Sequence, residues 1–306
     1  MTTPNFFIIG APKSGTTSLL AYLMQHPDVF VPGIWEMNFL SDDLHWRTIP
    51  PCCSMDDYLR RFEPGAGKQR IGEKSVFYLY SRRAAGRIRT INRDARLICI
   101  LRDPVEVAWS FYKYNLANLE EDLVPFERAL EAEADRRRGR RLPARLNFVE
   151  NLLYREVPRY AEQLERLYRV FPEDQVLVLR FDDLRADEDG VFQTVLDFLD
   201  LKPFALERYR AHNQSDGLAT IGVRRFLSRH PRIDRSLRAM VPQPLIGGVR
   251  RAVERARGGG PAALRAMRPE TRALLCETFE PEVRALERLT GLDLAHWCRI
   301  EQPARA

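Results

Sequence analysis

Gly10-Ala11-Pro12-Lys13-Ser14-Gly15-Thr16-Thr17 joins two segments of opposite periodicity, and this junction constrains the chain more than any other feature. Before it, Asn5-Phe6-Phe7-Ile8-Ile9-Gly10 is a short apolar run ending in glycine, as a buried parallel strand would. After it, Thr17-Ser18-Leu19-Leu20-Ala21-Tyr22-Leu23-Met24 carries helical spacing until His26-Pro27 stops it. A loop between such a strand and helix aims backbone N–H groups and the positive end of the helix dipole at one point, which favours a phosphate. Gly15 lets the backbone approach a ligand closely, and Thr16 and Thr17 add hydroxyl donors.

The same alternation continues. Strands are expected at 69–73, 96–101 and 175–181, the second being apolar throughout its interior. Helices are expected at 81–92, 104–116, 125–138, 147–171 and 269–297, with a kink or a new start at Pro158. Strands alternating with helices of this length imply an α/β fold, a parallel sheet with helices on both faces. The segments 120–145 and 231–268 read as variable insertions. In the first, the run Arg136-Arg137-Arg138-Gly139-Arg140-Arg141 is expected to be a solvated helix end.

The chain has 306 residues, which admits two domains of ~150 residues or one large one. No internal repeat or clean linker divides it, so one domain spanning 1–306 is expected. No run approaches the ~18 apolar residues of a transmembrane helix, and the N-terminus is no basic signal region. Five cysteines, with one vicinal pair (Cys52 and Cys53) and no paired C-x-x-C, argue against a disulfide framework and a zinc site. A cytoplasmic location is the simple expectation. The 48 basic and 42 acidic residues give +6, compatible with a multiply anionic ligand. No motif for nucleic acid accompanies that charge. Oligomeric state is not legible.

Against the triphosphatase pattern G-x-x-x-x-G-K-[ST], Gly10, Gly15 and Thr17 fit, but Thr16 stands where the lysine belongs. The cation sits on the loop as Lys13, positioned for a single 5′-phosphate and what leaves from it. A second site is Arg102-Asp103-Pro104 followed by Ser110. Arg102 ends a strand, where open α/β sheets bind ligands, and its fork plus the Ser110 hydroxyl suits a separate phosphate. Asp103 resembles a magnesium carboxylate, but Arg102 beside it would repel the metal.

Together these residues resemble the sulfotransferases that use 3′-phosphoadenosine 5′-phosphosulfate (PAPS). Phe7 through Leu19 is similar to their 5′-phosphosulfate loop, and Leu101 through Ser110 to their 3′-phosphate motif. Segments 160–164, 176–184 and 292–297 extend the similarity. Trp35-Glu36-Met37-Asn38-Phe39-Leu40 resembles the Lys-Glu-x-His-Phe-Phe segment of the carbohydrate-type branch, which includes heparan sulfate enzymes and bacterial relatives. Gly72-Glu73-Lys74-Ser75 resembles its Gly-Glu-Lys-Ser/Thr-Pro segment, with Val76 in place of the proline. Trp35 replaces the lysine and Asn38 the histidine, which removes two donors for an anionic acceptor; Trp35 would instead stack on a sugar or aromatic ring.

The resemblance implies a parallel sheet related to P-loop nucleotide kinases and an in-line transfer of a sulfuryl group from PAPS. The acceptor is a hydroxyl of a small molecule, lipid or saccharide, the product is 3′,5′-ADP (PAP), and no metal is required. By position it implies Glu36 as general base, with Lys13 and Lys74 stabilising the bridging oxygen. Lys13, Ser14, Gly15, Thr16, Thr17 and Ser18 place the 5′ side of the donor, while Arg102 and Ser110 hold its 3′-phosphate. Tyr160 lies nearby, and Arg224 or Arg225 reaches the same phosphate from beyond the His212–Gly217 loop. A P-loop kinase-like phosphotransferase and a non-catalytic nucleotide-binding protein stand as alternatives.

Overall fold

The computed structural model of the chain describes residues 2–33, 36–48, 54–206 and 266–299. Its strands are β1 (Phe6–Gly10), β2 (Val29–Phe30), β3 (Arg70–Lys74), β4 (Arg96–Leu101) and β5 (Val176–Arg180). They form one five-stranded sheet in the order β2-β3-β1-β4-β5, with every pair parallel. The described α-helices are α1 (Thr16–Leu23), α2 (Met55–Arg60), α3 (Ala84–Ile91), α4 (Pro104–Asn118) and α5 (Phe126–Arg137). They continue with α6 (Tyr160–Tyr168), α7 (Phe181–Ala186), α8 (Glu188–Phe198) and α9 (Pro269–Thr290).

Every residue of the central β1 is buried, because both faces of the sheet are covered. Alternation divides its side chains. Phe6 and Ile8 join Ile98 and Ile100 in a core closed by Leu19 and Leu20 of α1 and Phe192 and Val195 of α8. Phe7 and Ile9 join Leu97, Cys99 and Leu101 on the opposite face, closed by Ile88 of α3, Leu164 of α6, and Val283 and Leu286 of α9. A third core joins α4, α5 and α9 through Val105, Tyr112, Phe126, Leu275 and Phe279. The fold is therefore the α/β, P-loop-kinase-like sheet with helices on both faces that the sequence implies.

Chain order reverses at β1, whose neighbours β3 and β4 lie on either side of it. Open α/β sheets bind ligands at the carboxyl ends of strands flanking such a reversal. Here the turn after β1 carries Lys13 to Gly15, the end of β4 leads to Arg102, and β3 ends in Lys74.

Three expectations are corrected. Of the helical stretch expected over 147–171, the part before Pro158 is a 3₁₀ turn at Val149–Leu152 and not an α-helix, while the new start expected at Pro158 is found two residues on, where α6 begins. Proline offers no N–H for a helix interior, so a helix spanning it loses a bond. The strand β2 was not expected, since two residues are too few to show a period. Arg136 is not solvated. Its guanidinium donates to both oxygens of Glu121 at 2.7 and 2.6 Å, and neither side chain is exposed. Glu121 also accepts from the N–H groups of Asp122 and Leu123 and from the Tyr154 hydroxyl. That arrangement satisfies the charge that burial would otherwise penalise. Arg137 pairs with Glu156, and Arg140 with Asp135. No described helix is long and apolar enough to cross a membrane.

Candidate active site

The loop after β1 turns through a left-handed glycine into α1. Gly15 is the residue before α1 and sits at φ +85°. A Cβ there would lie 2.9 Å from Leu184 Cδ2 and 3.1 Å from Phe181 Cε2, so packing and backbone both require glycine. Ser18 N–H and Leu19 N–H close the first turn onto Gly15 O at 3.0 and 3.1 Å. Helix geometry leaves the N–H groups of Gly15, Thr16 and Thr17 without intrahelical acceptors, and no acidic side chain occupies the first turn. Ser14 is fully buried, and its hydroxyl donates to Pro12 O at 3.3 Å, so it braces the loop from within.

Lys13 itself has φ +61°, and its ammonium lies over the Tyr114 ring, 4.3 Å from the centroid. Burial lowers its pKa to about 8, helped by Arg102, Lys113 and Lys74 and opposed by Glu36. The cation therefore sits among other cations, an arrangement that an anion would relieve. Arg102 Nη1 donates to Lys13 O at 3.2 Å, so the second motif touches the first. Its guanidinium lies over the Phe181 ring at 4.8 Å and pairs with Glu106 at 3.5 Å. Glu106 is also held by Arg272 of α9.

Glu36 Oε1 accepts from Lys74 Nζ at 2.7 Å, and Glu36 Oε2 accepts weakly from Val76 N–H at 3.4 Å. The same Lys74 ammonium donates to Thr17 Oγ1 at 3.3 Å. Lys74 thus bridges the carboxylate and the phosphate loop, with only 5% of its side chain exposed. Asn38, at φ +49°, is buried, and its N–H donates to Ser75 Oγ at 3.0 Å. The structure therefore brings Lys13, Thr17, Glu36, Lys74 and Arg102 to one place.

Ser110 lies on α4, where Glu106, Ser110 and Lys113 share a helical face by their spacing. Tyr160 opens α6 and is packed in the core at 1% exposure, where burial and Asp103 raise its pKa. Asp103 caps α4. Its carboxylate accepts from Val105 N–H at 2.8 Å and from Cys298 N–H at 3.0 Å, so both oxygens are engaged. Trp35, His212–Gly217, Arg224 and Arg225 lie outside the described residues, as does nearly all of 231–268.

Sequence reasoning missed Lys113, whose pKa burial lowers, with Arg102 adding to that shift and Glu106 opposing it. Its position three residues past Ser110 on the same face was the available signal. It also missed Tyr114, whose ring supports Lys13, and Glu73, a fully buried carboxyl whose pKa burial pushes up to about 6.

The profile of the sulfotransferase domain matches residues 3–218. Heparan sulfate glucosamine 3-O-sulfotransferase 3B1 of Mus musculus is 30% identical over 215 residues, covering 70% of this chain and 50% of that relative. The membrane-associated sulfotransferase kil1 of Dictyostelium discoideum is 33% identical over 144 residues, 43% of this chain and 28% of its own length. The chain spans about half the length of the heparan sulfate 3-O-sulfotransferases it matches, or somewhat more. Among solved structures, a sulfotransferase from Alicyclobacillus acidocaldarius superposes with a TM-score of 0.71 at 28% identity, covering 98% of this chain and 100% of that one. With the matched profile covering the phosphate loop, Glu36, Lys74 and Arg102 alike, the chain belongs to the sulfotransferase domain family.

Proposed function

We propose that this chain transfers a sulfuryl group from PAPS to a hydroxyl of a saccharide, lipid or other small acceptor, releasing PAP. The contact that carries this reading is Lys74, which touches Glu36 and Thr17 at once and so ties a candidate base to the donor loop. The site suits the donor on two further counts. Gly15 supplies the left-handed turn that starts α1, where backbone N–H groups lack intrahelical acceptors, and four cations (Lys13, Lys74, Arg102 and Lys113) face two carboxylates, Glu36 and Glu106.

PAPS supplies an activated sulfuryl group on a phosphate leaving group. An S–O bond forms to the acceptor oxygen as the S–O bond to the 5′-phosphate breaks, and the acceptor proton passes to a base. Glu36 would take that proton, a contribution of about 10²–10⁴-fold in rate. Lys13 and Lys74 would stabilise the charge developing on the departing oxygen. The N–H groups and hydroxyls of Thr16 and Thr17, with Ser14 and Ser18, would place the 5′ side of the donor. Arg102, Ser110, Tyr160 and Arg224 would serve its 3′ side.

A magnesium-dependent kinase would want a free carboxylate at the end of β4. Asp103 is there, but the Val105 and Cys298 N–H groups engage both its oxygens. Relatives named for heparan sulfate glucosamine support a saccharide acceptor. The return of α9 onto α6 and α4 supports one domain over 1–306, with insertions at 120–145 and 231–268. Free thiols at Cys99, Cys276 and Cys298 suit a cytoplasmic location.

Calorimetric titration with PAP and with ATP tests the donor. PAP should bind far more tightly. Turnover of PAPS with a saccharide panel then tests the chemistry. Equal affinity for ATP would overturn the reading.

A further inference from the structure

Glu73 precedes Lys74 on β3, and strand alternation sends the two side chains to opposite sides. Lys74 reaches the active site, whereas Glu73 enters the core at 1% exposure. Among the described residues it has no ion-pair partner. Three hydroxyls donate to it instead: Tyr58 at 2.6 Å and Tyr78 at 2.8 Å to Oε1, and Ser75 at 3.0 Å to Oε2.

An ionised carboxylate only accepts, so each hydroxyl touching it must aim its hydrogen inward and turn its lone pairs outward. Two of these hydroxyls use the outward side on the segment carrying Glu36. Ser75 Oγ accepts from Asn38 N–H at 3.0 Å, and Tyr78 Oη accepts from Leu40 N–H at 3.3 Å. Ser41 Oγ closes the same turn by donating to Asn38 O at 2.8 Å. The turn that follows Glu36 is therefore pinned at two backbone N–H groups through hydroxyls oriented by one buried charge.

We propose that Glu73 is a positioning residue of the transfer site, the charge that sets Ser75 and Tyr78 as acceptors for the 38–40 backbone and so fixes Glu36. This rests on Glu36 as the base. The groups around Glu73 are Tyr58 from α2, Ser75 and Tyr78 after β3, and the Glu36 carboxylate across the turn, whose charge adds to the effect of burial. A protonated Glu73 carries a donor of its own and one lone pair fewer, so it no longer imposes the inward aim of the three hydroxyls that presents Ser75 Oγ and Tyr78 Oη to the turn as acceptors. Misplacing a reacting group by about 1 Å costs on the order of 10²-fold in rate.

The test compares kcat against pH for wild type, Glu73→Gln and Glu36→Gln at saturating PAPS. Wild type should lose kcat on an acid limb near about 6, the value to which burial pushes Glu73. Glu73→Gln should show a kcat lower by on the order of 10²-fold, no limb in that region and an unchanged KM for PAPS. Ser75→Ala and Tyr78→Phe should each lower kcat in the wild-type background and add little to Glu73→Gln, since coupled residues are not additive. These two variants carry the test if Glu73→Gln fails to fold. Wild-type kcat, or a retained limb, in Glu73→Gln beside an inactive Glu36→Gln overturns the positioning role alone. Full turnover by Glu36→Gln overturns the base assignment, and the positioning role with it.

Discussion

Lys74 Nζ stands 2.7 Å from Glu36 Oε1 and 3.3 Å from Thr17 Oγ1, so one ammonium joins the segment carrying Glu36 to the start of α1. The contact follows from topology. Parallel pairing sets Ile8 of β1 beside Lys74 of β3, and both strands end at the same edge of the sheet. Replacing Lys74 by Met should remove the charge while keeping much of the stem's packing. The expected loss in kcat is about 10²–10³-fold, the range for removing one preorganised electrostatic contact. PAP affinity should fall by much less. Calorimetry beside steady-state kinetics separates the two, and a variant losing affinity but no kcat would confine Lys74 to donor binding.

Strands with continuous apolar interiors, β1, β4 and β5, were legible because burial on both faces leaves little room for polar residues. The phosphate loop was legible because its glycines and hydroxyls have few other uses in that order. Glu36 and Lys74 stood out by resemblance to motifs, and Arg102 by its place at the carboxyl end of an apolar strand, none of them by a local period. What stayed hidden depended on partners distant in sequence. Arg136 looked solvated within a basic run because its carboxylate, Glu121, lies 15 residues away. Glu73 looked like one more charge in a motif, since only the pleat tells that it turns inward while Lys74 turns to the cleft.

Gly15→Ala probes the loop. The new Cβ would sit at φ +85° and 2.9 Å from Leu184 Cδ2, so both backbone and packing resist it. A non-glycine residue held in such a region costs roughly 1–3 kcal/mol. Urea unfolding should report that loss, and PAP affinity should drop as the loop backs away from α7. Unchanged stability together with unchanged affinity would mean that the loop does not need its left-handed residue.

Arg136→Met removes one half of a pair in which neither side chain is exposed. Glu121 would keep the two N–H groups and the Tyr154 hydroxyl but lose its countercharge. Breaking a buried pair this way costs about 3–5 kcal/mol. Denaturant titration should show that cost, while PAP affinity of the folded fraction stays at the wild-type value. A loss under about 1 kcal/mol, the range of exposed pairs, would place Arg136 in water after all.

Lys13 gives the binding reaction a pH dependence of fixed sign. Burial first, then Arg102, Lys113 and Lys74, lower its pKa to about 8 in the free protein, against the pull of Glu36. Bound phosphate adds negative charge and moves that value back up. Binding above about pH 8 must therefore take up a proton, and PAP affinity should weaken as pH rises from about 7 to 9.5, by at most about tenfold per pH unit for one proton. The phosphate groups do not confuse the result, since their second ionisation lies near about 6. Lys113 is shifted in the same direction and would add a smaller dependence of the same sign. Lys13→Arg keeps the cation without the titration, so its affinity should vary less with pH than wild type. Calorimetry at pH 8.5 in two buffers of different ionisation enthalpy counts the proton directly. A flat affinity profile and no uptake in wild type would separate Lys13 from the bound phosphate and leave the donor loop without its cation.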